Sequence, residues 1–250
     1  GESIPESAER CEFCGEALES AAGPVRPRII EFSDVFGTAW ERFKDKMGTA
    51  VIANLVASII TVIGIIPVFG VFVTIMILAE QSGGDPNPLY FLWLIPAMVV
   101  SMAVMQFLTP GLTLLYLQLA RGEDIDVGTG IGMIFSGGRF FVKTAICGML
   151  FGLMVGFGLL ALIIPGIILG LRYWPYLFVI VDEDPPGLEC FSRSAELTKG
   201  NWGAILLIGI SGMFLNIAAQ AICGIITLFT QPFNSLLFAT AYVKMTGKVR

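Results

Sequence analysis

Four stretches of this chain carry no charged residue at all: Gly48–Ala79, Tyr90–Ala120, Thr144–Leu171 and Gly203–Val243. Each is at least as long as the roughly 20 apolar residues that carry a helix across a bilayer. Four such runs exclude a water-soluble fold and require a multi-pass membrane protein. Composition agrees, since 14% of the residues are charged, against about 25% in a soluble domain. The mean hydropathy is +0.80.

The run lengths predict about six crossings. Gly48–Ala79 makes one span, with Pro67 as a kink and tilt absorbing the excess length. Splitting it at Pro67 would leave Val68–Ala79, which is too short to cross. Tyr90–Ala120 makes one more, with breaks at Pro96 and Pro110-Gly111. Thr144–Ile164 meets a turn signal at Pro165-Gly166, and the chain returns as far as Val181. Gly203–Val243 holds two spans, with the turn near Cys223-Gly224 or Gln231-Pro232. The expected fold is all-α and integral to the membrane, as three hairpins. Six spans place 14 of the 15 Lys and Arg residues on one side. By the preference of positive loops for the cytoplasm, that side is cytoplasmic and both termini lie there. The expected location is a prokaryotic cytoplasmic (inner) membrane.

A half-polar segment precedes each hairpin. Phe32–Met47 has apolar residues every three to four positions, with Ser33 placed to cap it, and reads as an amphipathic helix on the membrane surface. Val127–Phe140 is rich in Gly and makes a weaker helix. In Leu188–Lys199, Leu188, Phe191 and Ala195 share a face, and Glu189 and Arg193 stand at i,i+4. The pattern suggests three units of surface helix plus hairpin. A loop that merely touches lipid would also look half-apolar, so both readings stand. Two domains follow: residues 1–31 as a leader and 32–250 as the membrane domain.

Chemistry is sparse. The chain has no His, which removes the commonest general base and metal ligand. It has no Ser-His or Cys-His arrangement, no phosphate-binding loop and no carboxylate inside a span, so no catalytic residue is assigned. A net charge of −5 without a dense basic stripe gives no reason to expect nucleic acid. Cys147, Cys190 and Cys223 read as small apolar residues.

Three features are candidates for binding. Cys11-Glu12-Phe13-Cys14-Gly15 has the form of one zinc knuckle, and a tetrahedral site needs two. Cys11 and Cys14 are thus a half site, and the leader is expected to be a truncated zinc ribbon. Incidental cysteines and a redox pair are the other readings. Arg172, six residues past Gly166, sits among Tyr173, Trp174, Pro175 and Tyr176. It is either an intramembrane binding cluster or a snorkelling cation with belt aromatics. Asp182-Glu183-Asp184 either attracts a divalent cation or is a solvated helix stop. Gly148, Gly152 and Gly156, with Gly166 and Gly170, repeat every four residues, a spacing that suits close helix packing.

Two strings carry a family resemblance: Pro165–Tyr176 (PGIILGLRYWPY), followed by the acidic tip at Asp182–Asp184, and Ser192–Trp202 (SRSAELTKGNW). Over about residues 32–246 the chain resembles a family of uncharacterised prokaryotic multi-pass membrane proteins, often with an N-terminal zinc ribbon. That family is similar to the membrane domain fused to some glycerophosphoryl diester phosphodiesterases. The resemblance implies a six-helix bundle with surface helices, and zinc in the full-length protein. It implies no activity, and the phosphodiesterase catalytic domain has no counterpart here.

The expectation is a non-enzymatic scaffold or regulatory membrane module that engages anionic lipid or a cytoplasmic protein partner. The rival is a transporter or channel for a lipid or small solute, with Arg172 and its aromatics as the site. A lipid-modifying enzyme would need a carboxylate cluster facing a lipid-accessible cleft.

Overall fold

The computed structural model describes residues 28–81, 88–222 and 224–248. Cys11, Cys14, Cys223 and nearly all of the proposed leader lie outside them. The described residues form ten α-helices and no strand. They are α1 (Phe32–Asp45), α2 (Met47–Gln81), α3 (Leu94–Arg121), α4 (Val127–Ser136) and α5 (Phe141–Ala161). Then come α6 (Ile163–Tyr173), α7 (Tyr176–Glu183), α8 (Glu189–Leu197), α9 (Trp202–Ile222) and α10 (Thr227–Thr246).

Five stretches are long and apolar enough to cross a membrane: Met47–Gln81, Leu89–Arg121, Val127–Ala161, Ile163–Glu183 and Trp202–Ile222. The sixth helix, α10, completes the third hairpin against α9 but is less apolar. The reason is where it sits. Phe233, Leu236, Leu237, Ala239, Thr240, Tyr242 and Met245 on α10 are all buried, so protein rather than lipid surrounds its C-terminal part. A helix in that position can carry Gln231, Asn234 and Lys244.

The turns differ in detail from the sequence expectation. The α5–α6 turn is Leu162, in extended conformation, and Pro165-Gly166 falls in the first turn of α6. Proline is tolerated there because its missing N–H has no helical partner in any case. The third hairpin turns at 222–226, and Pro232 lies inside α10. Ser33 lies within α1 and does not cap it; the cap position is Glu31, with no side-chain cap bond. Nearby, the Ile30 N–H is satisfied from far along the chain, by Asn201 Oδ1 at 2.9 Å.

The three units pack in a ring. In each, the helix that leads the unit runs back along the second crossing of the unit before it. Helix α4 lies on α3: Thr49 Oγ1 donates to the Ile125 carbonyl at its start (3.0 Å), and its end reaches Gly111, where an added Cβ would overlap the Ile134 carbonyl. Helix α8 lies on α7 and α6, from the Arg193–Glu183 ion pair (3.0 Å) to Thr198 Oγ1, which donates to the Arg172 carbonyl (3.0 Å). Helix α1 closes the ring on α10. The Arg28 N–H donates to the Met245 carbonyl (3.1 Å), Lys244 pairs with Asp34 (2.7 Å), and Phe43 meets Phe233 edge-on at 5.5 Å. Each leading helix ends beside a proline of its neighbour: Pro110, Pro175 or Pro232.

The Gly content of α4 now has a physical cause. Gly137 and Gly111 approach backbone to backbone, and a Cβ on Gly130 would press on Thr49 at 3.0 Å. Glycine weakens a helix by about 1 kcal/mol, but here it permits contact no larger residue allows. Asp126 offsets part of that weakness. It caps α4 by accepting from the N–H groups of Gly128 (2.9 Å) and Thr129 (3.2 Å), and with the Thr129 hydroxyl these bonds hold its carboxyl below the usual range.

Candidate functional site

The C-terminal halves of the three second crossings, α3, α7 and α10, meet one another and form the core. Leu115, Leu117 and Leu119 from α3, Val179 and Ile180 from α7, and Leu236, Leu237 and Tyr242 from α10 are all buried. One polar side chain from each helix closes the charged end. Asp182 on α7, 6% exposed, accepts from Arg121 at the end of α3. It also accepts from Tyr242 Oη on α10 (3.1 Å) and from Lys248 just beyond α10 (2.8 Å).

The clasp extends outward. Arg193 of α8 bridges Glu183 (3.0 Å) and Glu196 (3.3 Å), and Lys143 of α5 holds Asp184 at 2.6 Å. Sequence reasoning left the acidic tip as a cation site or a solvated stop. Here all three carboxylates are joined to cations of other segments. Among the described residues no group of three or more His, Cys, Asp or Glu side chains suits a metal ion. Glu189 does not meet Arg193, because Arg193 turns to Glu183 and Glu196 instead. The buried face of α8 is Cys190, Ser194 and Leu197, while Leu188 is exposed.

The aromatic cluster around Arg172 is divided by the structure. Arg172 is exposed, with its guanidinium 5.6 Å from the Tyr173 ring. It stands at the α6–α7 break beside the α8–α9 corner. Tyr173 and Tyr176 both pack on Phe191 of α8 (5.7 and 5.8 Å). Trp174 turns the other way, against Phe238 (5.2 Å) and Phe178 (5.7 Å), and its indole N–H is buried without a partner.

Inside the clasp, α3, α7 and α10 enclose a chamber of about 270 Å³. Its walls are Thr109, Leu112, Thr113, Tyr116, Leu177, Phe178, Ser235 and Phe238. Arg172 contributes nothing to it. The polar groups are four hydroxyls, with no charge among them. A larger apolar groove of about 620 Å³ runs along the far half of the first hairpin, past Pro67, Gly70, Tyr90 and Trp93.

The glycine stripe is also divided. A Cβ on Gly148 would crowd Gln106 (3.2 Å) and the Tyr176 hydroxyl (3.3 Å), whereas Gly152, Gly156 and Gly170 face open space. The close approach of α5 and α6 falls instead at Gly158 and Gly166, whose backbones touch.

One contact had no signal in the sequence. Cys147 of α5 and Cys190 of α8, 1% and 0% exposed, are free thiols with sulfurs 3.4 Å apart. Burial and then the bond to Cys147 push the Cys190 thiol up to about 12. The other hidden feature is the Asp182 clasp, whose partners are all 60 or more residues away. No family model matches this chain, and neither a curated protein nor a solved structure matches it.

Proposed function

We propose that this chain is a non-enzymatic scaffold or regulatory module of a prokaryotic cytoplasmic membrane, with both termini cytoplasmic, whose charged end engages anionic lipid. The observation that carries this reading is how charge is distributed at the clasp. Its carboxylates are taken up by Arg121, Lys143, Arg193 and Lys248. Lys44, Arg139, Arg172 and Lys199 are exposed and have no carboxylate partner among the described residues. Three of the four rest on an aromatic ring: Lys44 on Trp40 (6.0 Å), Arg139 on Phe140 (4.5 Å) and Arg172 on Tyr173 (5.6 Å). Cations backed by aromatics suit lipid phosphates at an interface.

The resemblance to prokaryotic multi-pass proteins with a zinc ribbon supports the location. In that reading zinc binds in the full-length protein, with Cys11 and Cys14 as half of its ligands. Native mass spectrometry from mixed phosphatidylglycerol and phosphatidylcholine tests the lipid arm. Wild type retains phosphatidylglycerol preferentially, and the variant with Lys44, Arg139, Arg172 and Lys199 all changed to Gln loses that preference. If wild type shows no preference, the charged end serves a protein partner instead.

A second reading, a transporter or channel for a lipid or small solute, draws on the chamber between α3, α7 and α10. Its site would be the hydroxyl-lined chamber and not Arg172.

A further inference from the structure

We propose that the chamber between α3, α7 and α10 binds an uncharged lipid whose head carries a hydroxyl group, of the long-chain alcohol or acylglycerol class. The proposal goes beyond the charged-end reading, because the two sites share no residue.

The lining selects this chemistry. Thr109 and Thr113 each spend their hydroxyl proton on a backbone carbonyl of their own helix, at 2.7 and 2.9 Å. Their oxygens therefore face the chamber as acceptors. Tyr116 directs its proton to Asn54 Oδ1 across a long 3.5 Å. The Ser235 hydroxyl has no protein partner among the described residues and is free to donate. A guest hydroxyl donates to a threonine oxygen and accepts from Ser235, so both partners are satisfied at once. A phosphate or ammonium head finds no counter-charge on these walls, and an unpaired charge in an apolar enclosure is strongly disfavoured. The remaining walls, chiefly Phe178 and Phe238, suit an alkyl chain.

Each of the three units supplies part of the lining, so the chamber exists only when the ring is closed. About 270 Å³ holds a small polar head with the first carbons of its chain. Trp174 packs directly on Phe178 and Phe238, which makes its fluorescence a reporter of the chamber.

The test uses the full chain with Trp40, Trp93 and Trp202 changed to Phe, in detergent, titrated with bromo-octanol. Bromo-octane, which lacks the hydroxyl, is the comparison. Saturable quenching of Trp174 by bromo-octanol, reversed by plain octanol, is expected. The near-isosteric pair Thr113→Val and Ser235→Ala should weaken it about fivefold, the worth of one hydrogen bond, without lowering the melting temperature by more than a few degrees. Filling the space with Ser235→Leu should abolish it. Equal, saturable quenching by bromo-octane would show a purely apolar cleft and overturn the proposal. So would unchanged bromo-octanol affinity in a folded Thr113→Val, Ser235→Ala protein.

Discussion

Tyr242 donates its phenolic proton to Asp182 at 3.1 Å, so the last membrane helix is hydrogen-bonded to the acid that ends the second unit. Arg121 meets the same carboxylate from the end of the first unit. One nearly enclosed side chain therefore touches all three hairpins, and the ring of units depends on it.

Removing that charge should be costly. Asp182→Asn leaves Arg121 and Lys248 without their anion in a partly buried site, a loss of about 3 kcal/mol. Asp184→Asn breaks the Lys143 pair, but Asp184 is 63% exposed, so it should cost less than about 1 kcal/mol. Unfolding of the detergent-solubilised variants compares the two, and equal effects would remove the clasp from the account.

The glycines of α3 and α4 should be intolerant where those of α5 are not. Gly111→Ala drives a methyl group into the Ile134 carbonyl, a backbone atom that cannot swing away, at about 3 kcal/mol. Gly152→Ala meets nothing within 4 Å and should be neutral or slightly stabilising, since Ala is the better helix former. Melting temperatures of the two single variants settle the contrast.

Cys190 should be inert at neutral pH. With its thiol pushed up to about 12, only about one part in ten thousand is thiolate at pH 8, and the thiolate is the nucleophile. Iodoacetamide should leave it unlabelled in the folded protein and label it fully in denaturant. The same shift has a defined sign for stability. The folded pKa lies above the ordinary value near 8.5, so the contribution is complete below that value and declines as pH rises toward 12. Rapid native labelling at pH 8 would mean that α8 does not pack on α5.

Arg172 and Trp174 are two positions apart and should behave differently. Arg172→Ala removes an exposed cation and should change stability by about 0.5 kcal/mol or less. Trp174→Ala opens a cavity between Phe178 and Phe238, at about 3 kcal/mol or more. Thermal unfolding followed by circular dichroism distinguishes them.

The membrane character of the chain was legible because the apolar runs are long and free of charge, and no packing argument was needed to see them. The three-unit pattern was legible for the same reason, although the Gly-rich Val127–Phe140 segment looked too weak for a helix. Its glycines are chosen for contact with α3, and helix propensity carries no trace of a partner. The clasp was hidden because Asp182 sits in a run of three acids that resembles any solvated helix end. Its partners, Arg121, Tyr242 and Lys248, are brought to it only by ring closure. Arg172 was placed by counting turns from Gly166, a count that assumes an unbroken helix. The break at Trp174-Pro175 and the Thr198 bond put it at a corner. The chamber could not be seen at all, since Thr109, Thr113 and Ser235 are unremarkable in isolation.

Ring closure is most directly tested between α1 and α10, the two ends of the described chain. Lys244 and Asp34 form an ion pair at 2.7 Å, close enough for a carbodiimide to join them as an amide without a spacer. Cross-linking in native membranes, followed by peptide mass spectrometry, should recover the Asp34–Lys244 peptide pair and lose it in Asp34→Asn. Recovery of Lys244 only unmodified, or joined to carboxylates of other helices, would contradict the closed ring.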